Sequence, residues 1–183
     1  NRKIFLEKIS NLKKLPDLLK KSLKSEDKIQ IFAKDFIDAK GSMFLGRGLS
    51  FPIALEGALK LKELSYLHAE GYPAGEMKHG PLALIEDGLP VIVIAPKDKY
   101  FEKTISNMQE VIARGGKVLL ITDKKNEVIN ENIRFKLEMP YVESLLNPFL
   151  TTIPLQLLAY HVALLKKCDI DKPRNLAKSV TVE

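Results

Sequence analysis

The sequence predicts an α/β protein, a three-layer α-β-α sandwich built around a doubly wound parallel sheet. Short, almost wholly apolar runs at Ser42–Leu45, Leu89–Pro96 and Lys117–Asp123 predict strands that are buried on both faces. Helical stretches separate these runs, and strand–helix–strand connections of this kind cross over right-handed in a parallel sheet. The more alternating run Ile133–Pro140 predicts a further strand nearer an edge. Segment 69–88, interrupted by glycine and proline, is predicted to be a loop.

Composition and charge limit the classes of protein to consider. The 183 residues fit one domain, and 45% hydrophobic with 28% charged residues is ordinary for a globular protein. The net charge of +6 is concentrated in the first 40 residues, without the aromatic or Arg-rich patch that nucleic-acid binding favours. The single cysteine, Cys168, excludes an internal disulfide. We also see no apolar run near the length of about 20 residues that spans a membrane, so we expect a cytoplasmic protein.

The chain divides into three parts by pattern. Residues 1–40 are Lys-rich and helical, and we expect them to connect to a preceding domain. Residues 41–167 contain the predicted strands and their helices. Residues 168–183 have no strong periodicity and form a tail. Since the sequence opens in the middle of an amphipathic pattern, we expect it to be a fragment of something longer.

An unusual charge pattern lies on the helix predicted for Phe51–His68. At 100° per residue, Glu56, Lys60 and Glu63 fall within about 60° of one another, and apolar residues flank them on both sides. A surface ladder of i,i+4 ion pairs and a functional site explain this pattern equally well. Ligands of doubly wound sheets bind beyond the carboxyl ends of the strands, and this helix starts directly after Ser42–Leu45. We therefore expect the strip to lie at that edge, which favours a functional site.

Other motifs are weaker by themselves. Gly46-x-Gly48-x-x-Phe51 lacks the third glycine of the dinucleotide fingerprint, which argues against a nicotinamide cofactor. The three histidines and the cysteine are too scattered in sequence for a metal site. His79 lies in a loop bounded by Gly and Pro, where a histidine is either solvated or transfers protons. By composition alone Lys178 is a solvated lysine near the end of the chain.

Three blocks carry a specific family resemblance: ALEGALKLKELSYLHAEGYPAGEMKHGPLALI, PLQLLAYHVALLK and DKPRNLAKSVTVE. They closely resemble the carboxyl-terminal part of the bacterial glucosamine-6-phosphate synthases, the isomerising glutamine–fructose-6-phosphate aminotransferases. The resemblance runs from about Gly41 to Glu183, and residues 1–40 match only loosely. It implies a flavodoxin-like sugar isomerase (SIS) domain, the second of the parent enzyme, followed by a catalytic tail.

The resemblance implies a reaction and a set of catalytic residues. The family makes glucosamine 6-phosphate from fructose 6-phosphate and glutamine-derived ammonia, the first step of the hexosamine pathway to UDP-GlcNAc. By motif, Lys178 of NLAKS forms a Schiff base with the ketone, and Glu63 of KLKELS moves a proton between C1 and C2. His79 of MKHGP opens the sugar ring in the neighbouring subunit of a homodimer. Lys60 is implied to tune Glu63.

The same resemblance implies the substrate contacts. Glu56 positions sugar oxygens, and Ala177 contacts the sugar through its backbone. Arg174 and Asn175 anchor the tail. No cofactor and no metal is implied, and the partners are a sugar phosphate and a second copy of the chain, with neither nucleic acid nor membrane.

The departures from the family pattern are as informative as the match. The chain has neither the cysteine nucleophile of a glutaminase half nor the first SIS domain, whose Ser/Thr-rich loop grips the sugar phosphate. The equivalent loop here, Gly46–Ser50, has no Ser/Thr cluster. We therefore expect the isolated chain to be inactive and to bind fructose 6-phosphate weakly. Two alternatives remain, a sugar-phosphate-binding SIS module without catalysis and a dimerisation module.

Overall fold

A computed structural model describes residues 2–123 and 131–176 and confirms the predicted α/β class. The described strands form one sheet, all parallel, in the order β2-β1-β3-β4-β5. Its strands are β1 Gly41–Gly46, β2 His68–Pro73, β3 Pro90–Ile94, β4 Lys117–Thr122 and β5 Phe135–Glu138. The chain moves outward from β1 to β2 and then returns to the other side of β1 with β3. The topological switch point therefore lies between β1 and β3.

Helices cover both faces of the sheet, which gives the three layers. They are α1 Arg2–Lys13, α2 Leu15–Leu23, α3 Glu26–Ala33, α4 Ser50–Ser65, α5 Phe101–Ile112 and α6 Asn147–Leu165. Helices α3, α4 and α6 pack on one face, which we call the α4 face. Helix α5 and two 3-10 segments, Ala74–His79 and Pro81–Leu84, pack on the other, which we call the α5 face.

Alternation along β1 shows how the sequence supplies both cores. Phe44 is fully buried among the side chains of the α4 face, whereas Met43 and Leu45 point into the core of the α5 face. Helix α4 approaches Phe44 closely at Gly57, where a β-carbon would lie only 3.0 Å from the Phe44 ring. The glycine thus sets the short distance between α4 and the sheet.

Strand β2 corrects the prediction of a loop over 69–88, since its six residues pair with β1 from Gly41↔His68 to Gly46↔Pro73. The predicted helix is also shorter than expected, ending at Ser65 instead of His68. Among the described strands β2 is an edge strand, and only Ala69 within it is buried. A half-exposed edge tolerates Gly and Pro, so the apolar run that identifies central strands is missing.

The amino-terminal helices contribute to this domain to different degrees. In α3 and the 3-10 turn after it, Ile29, Phe32 and Phe36 are fully buried in the core of the α4 face. Helix α1 has no buried residue and leaves Phe5 64% exposed. The part of segment 1–40 next to the sheet is therefore integral to the core, whereas its first helix lies outside.

Helix α6 is unusually apolar along its whole length. The segment Ser144–Leu165 has the length and hydropathy of a membrane-crossing helix, contrary to the prediction that no apolar run approaches that length. Half of its most apolar window is buried within the protein, and α6 makes its main packing contacts with α4, α3 and α2. This burial is typical of the central helix of a globular core, which is apolar for the same reason.

Candidate active site on helix α4

The charged strip predicted from the sequence forms a linked set of ion pairs on α4. The Lys60 ammonium Nζ lies 2.6 Å from Glu63 Oε2 and 3.7 Å from Glu56 Oε1. The side chains of Lys60 and Glu63 are 32% and 28% exposed, so both are partly desolvated. The predicted ladder of ion pairs is therefore present. In addition, the partly buried Glu63 carboxylate is held in place by the neighbouring Lys60 amine.

The electrostatics of the strip keep its amine charged. The hydrogen bond to Glu63 raises the pKa of Lys60 above its ordinary value, and the charges of Glu63 and Glu56 act in the same direction. Burial opposes them by lowering that pKa, but less strongly than the hydrogen bond raises it. At neutral pH Lys60 is thus an ammonium that donates to Glu63 and orients its carboxylate.

The position of the strip differs from the expectation that it lies at the carboxyl edge of the sheet. Helix α4 does begin there, four residues after the end of β1 at Gly46. Glu63 is 13 residues further along, which is about 20 Å at the rise of an α-helix. It therefore lies toward the opposite edge, where β2 begins at His68. Only the start of the helix occupies the switch point.

The carboxyl end of α4 meets the beginning of the tail. Tyr66, the residue after the helix, takes the left-handed conformation with φ of 58°. The Arg174 backbone N–H donates to Tyr66 Oη at 2.8 Å, and the guanidinium lies 4.1 Å from the centre of the Tyr66 ring. Asn175 also has a positive φ, of 62°. Arg174 thus contacts the residue that lies three positions after Glu63 in the sequence.

The predicted Schiff-base lysine, Lys178, and the predicted backbone contact, Ala177, fall outside the described residues. Their roles stay predictions. The described tail ends at Leu176, two positions before Lys178.

His79 is not brought to the strip within one chain. It ends the 3-10 segment Ala74–His79, whose Ala74 and Met77 pack into the core of the α5 face. Its ring is 72% exposed, and Nδ1 lies 2.7 Å from Glu76 Oε2. Glu63 is on the helix that packs on the opposite face. The two residues therefore lie on opposite faces of the sheet.

The loop Gly46–Ser50 holds a residue that the sequence did not single out. Arg47 donates from Nη2 and Nε to Asn107 Oδ1 on α5, at 2.9 and 3.3 Å. Its guanidinium also packs against Gly75, where a β-carbon would lie 2.7 Å from Nη2. Arg47 thus ties the loop to the α5 face. Both this contact and the one at Tyr66 join distant parts of the chain, and no local pattern announces them.

Comparisons with known proteins agree with this architecture and with the predicted resemblance. A family model described as the SIS domain matches residues 35–166. A glutamine–fructose-6-phosphate aminotransferase (isomerising) of Bartonella henselae is 53% identical over 176 residues, covering 96% of this chain and 29% of the relative. The corresponding Aquifex aeolicus protein is 52% identical over 94% of this chain and again 29% of the relative. This chain therefore spans less than a third of the curated relatives it matches.

A solved structure described as the C-terminal domain of glucosamine-fructose-6-phosphate aminotransferase from Francisella tularensis superposes with a TM-score of 0.90. It is 45% identical and covers 94% of this chain and 48% of that chain. The sequence matches extend over almost the whole chain, so the resemblance includes most of the first 40 residues, which the motif blocks alone did not indicate.

Proposed function

This chain belongs to the SIS-domain family, and we propose that it is the second sugar-isomerase domain and catalytic tail of an enzyme that makes glucosamine 6-phosphate. The substrates are fructose 6-phosphate and ammonia released from glutamine. The observation that carries the proposal is the joining of the Glu63 helix to the tail at Tyr66 and Arg174. That contact is made by the residue just before NLAKS, and it lies at the end of the helix that carries the predicted proton-transfer carboxylate.

Each residue has a definite role in the proposed reaction. The Lys178 amine attacks the C2 ketone of the opened sugar, and loss of water gives an imine. Ammonia then displaces the lysine from C2. Glu63 takes a proton from C1 and returns it to C2, while the proton of the C1 hydroxyl passes to the nitrogen, which yields the aldehyde at C1 and the amine at C2. Lys60 holds the Glu63 carboxylate at 2.6 Å and stays protonated throughout.

We propose that the site is completed by a second copy of the chain. His79 is exposed on the face opposite α4, so it serves ring opening by reaching the site of a partner subunit in a homodimer. Glu56, with its side chain 42% exposed beside Lys60, is free to contact sugar oxygens. Arg174 and Asn175 hold the tail, and the Ala177 backbone contacts the sugar.

The parts outside this chain complete the function. The proposed domain division is a connection over 1–40, whose last helix packs into the core of the next domain, the SIS domain over 41–167 and the tail over 168–183. A first SIS domain grips the phosphate and a glutaminase domain supplies ammonia, in a cytoplasmic enzyme that needs no cofactor. In this chain the Gly46–Ser50 loop has its Arg47 guanidinium committed to Asn107, which supports the expectation of weak sugar-phosphate binding by the chain alone.

The test uses two proteins. The first is a chimera, in which this chain replaces the matching segment of the Bartonella henselae relative. We call this chimera the full-length enzyme. Here Lys178→Arg should abolish synthesis of glucosamine 6-phosphate and abolish borohydride-trapped attachment of fructose 6-phosphate, while thermal unfolding is unchanged. Retained activity would refute the Schiff-base role. An inactive enzyme without this substitution, combined with sugar-phosphate binding by the 183-residue chain alone, would instead favour the non-catalytic binding module.

The second protein is the 183-residue chain alone, assayed with ammonia and fructose 6-phosphate. We expect no turnover, because the phosphate grip is absent from it. Measurable turnover would contradict this expectation. Size-exclusion chromatography of the same sample tests whether the chain dimerises by itself.

A further inference from the structure

We propose that Tyr66 is a positioning residue, which fixes the start of the tail to the end of α4 and thereby supports the reaction of the predicted pair, Lys178 and Glu63. This inference rests on the proposed function, since it assumes that Lys178 and Glu63 act on one substrate. Tyr66 is thereby added to the residues that the reaction needs, although its side chain touches no reacting atom.

The backbone at Tyr66 is the first reason. A left-handed residue after a helix is usually glycine or asparagine, because a β-carbon makes this conformation unfavourable by about 1–3 kcal/mol. Tyr66 nevertheless adopts φ 58° and ψ 13°, and its N–H closes the helix on Lys62 O at 3.0 Å. The tyrosine side chain must therefore supply something that glycine lacks.

The side chain makes two different contacts with one residue. Its hydroxyl accepts the Arg174 backbone N–H at 2.8 Å, and its ring faces the Arg174 guanidinium at 4.1 Å. The first contact fixes the path of the main chain, and the second fixes the side chain that leaves it. Together they hold one point of the tail in both position and direction.

The tail is also shaped on its way to this point. Cys168 Sγ lies 3.8 Å from Ser65 O, so the chain leaves α6 beside the last residue of α4. The Asp169 carboxylate then accepts the N–H groups of Asp171 and Lys172 at 3.1 and 2.9 Å, which forms a tight turn. The contact with Tyr66 is the last described attachment before Lys178.

Covalent geometry converts this attachment into a limit on the lysine. Lys178 is four positions after Arg174, and an extended chain spans at most about 14 Å over four residues. Glu63 lies about 4.5 Å from Tyr66 along the helix axis. A volume that includes Glu63 is therefore within covalent reach of a residue four positions beyond Arg174. Holding reacting groups in such a volume raises the rate by lowering the entropy lost in the transition state.

The first experiment measures the attachment itself in the 183-residue chain, without any reaction. Tyr66→Phe removes the hydroxyl acceptor and keeps the ring, so amide hydrogen exchange at Arg174 should be faster than in the parent chain. Tyr141→Phe, at a tyrosine that is 68% exposed and remote from the tail, is the matched control and should leave it unchanged. Equal exchange in the parent chain and Tyr66→Phe would overturn the inference.

The second experiment measures the consequence in the full-length enzyme defined above. Tyr66→Phe should lower kcat by about threefold to tenfold, the value of one hydrogen bond, with KM for fructose 6-phosphate nearly constant. The rate of borohydride trapping at Lys178 should fall in parallel, and Tyr141→Phe should change neither. Tyr66→Leu should lower kcat further, because the platform for Arg174 is lost as well.

The two proposals fail in different ways. An active Lys178→Arg enzyme refutes the Schiff-base function. An inactive Lys178→Arg enzyme combined with parental kcat and trapping rates in Tyr66→Phe refutes only the positioning role. A Tyr66→Phe enzyme whose thermal unfolding temperature falls while kcat is unchanged also refutes it, since Tyr66 is then structural only.

Discussion

The two segments that carry the predicted proton-transfer residues are built in opposite ways. Glu63 lies on a 16-residue helix that packs against α6 and the sheet, and Lys60 holds its carboxylate. His79 ends a short 3-10 segment on the other face, with an exposed ring that has one local partner, Glu76. The Glu63 carboxylate is thus held in place within one chain, whereas the His79 ring is left largely to solvent. The comparison shows which of the two predicted residues is fixed by contacts within this chain.

The largest expected effect comes from removing the Glu63 carboxylate on helix α4. In the full-length enzyme Glu63→Gln should lower the rate of synthesis by about 10²–10⁴-fold, the usual contribution of a general base. Folding should be spared, because the side chain is partly exposed and glutamine still accepts from Lys60. Initial-rate assays and thermal unfolding measure the two quantities. Glu138→Gln, which disrupts a separate pair with Lys136, is the control and should be active; equal loss in both variants would contradict the role of Glu63.

The next prediction compares the buried side chains that hold the Glu63 helix and the His79 segment against the sheet. Leu61 and Met77 are fully buried two residues before Glu63 and His79. Leu61→Ala and Met77→Ala should each lower the free energy of unfolding by about 2–5 kcal/mol. We expect Leu61→Ala to cost more, since α4 is fixed by α6 and cannot collapse into the cavity as readily as the short segment under Met77. Urea unfolding of the 183-residue chain measures both, and a larger loss in Met77→Ala would reverse the proposed ranking of rigidity.

A third test asks whether the exposed segment works across two subunits. His79→Asn in the full-length enzyme should lower activity about 10²-fold or more, by loss of a proton-transfer group. Mixing and re-associating His79→Asn with Glu63→Gln should restore part of the activity, because one site of each mixed dimer then has both residues intact. No recovery above the sum of the separate variants would place both residues in the same subunit's site.

The smallest effect concerns the edge strand between the two segments. The hydrogen bond to Glu70, with burial as a second cause, raises the pKa of Tyr72 to about 12. The pKa of Tyr72 in the folded state exceeds the ordinary value of 10.0. The contribution of the Tyr72–Glu70 hydrogen bond to stability is therefore complete below pH 10.0 and is lost as the pH rises through about 12. Phenolate absorbance should titrate at lower pH in Glu70→Gln than in the parent chain. Tyr72→Phe assigns the transition, and coincident curves for Glu70→Gln and the parent would contradict the coupling.

The sequence by itself determined the fold class, the central strands and the charged strip. Apolar runs are sufficient evidence for strands such as Pro90–Ile94, because burial on both faces leaves no room for polar residues. Helical periodicity likewise placed Glu56, Lys60 and Glu63 side by side, whereas the motif resemblance only predicts roles for Lys178 and His79. These signals are local, so a single stretch of chain is enough to carry each of them.

The tertiary structure alone decided four things. It made His68–Pro73 an edge strand, moved Glu63 away from the switch point, put His79 on the opposite face and joined Tyr66 to Arg174 across 108 positions of sequence. Each depends on packing between segments that are distant along the chain, where no periodicity or composition is shared. The attachment at Tyr66 also required a backbone conformation that tyrosine rarely adopts, which is stabilised by contacts formed only after the tail has folded back.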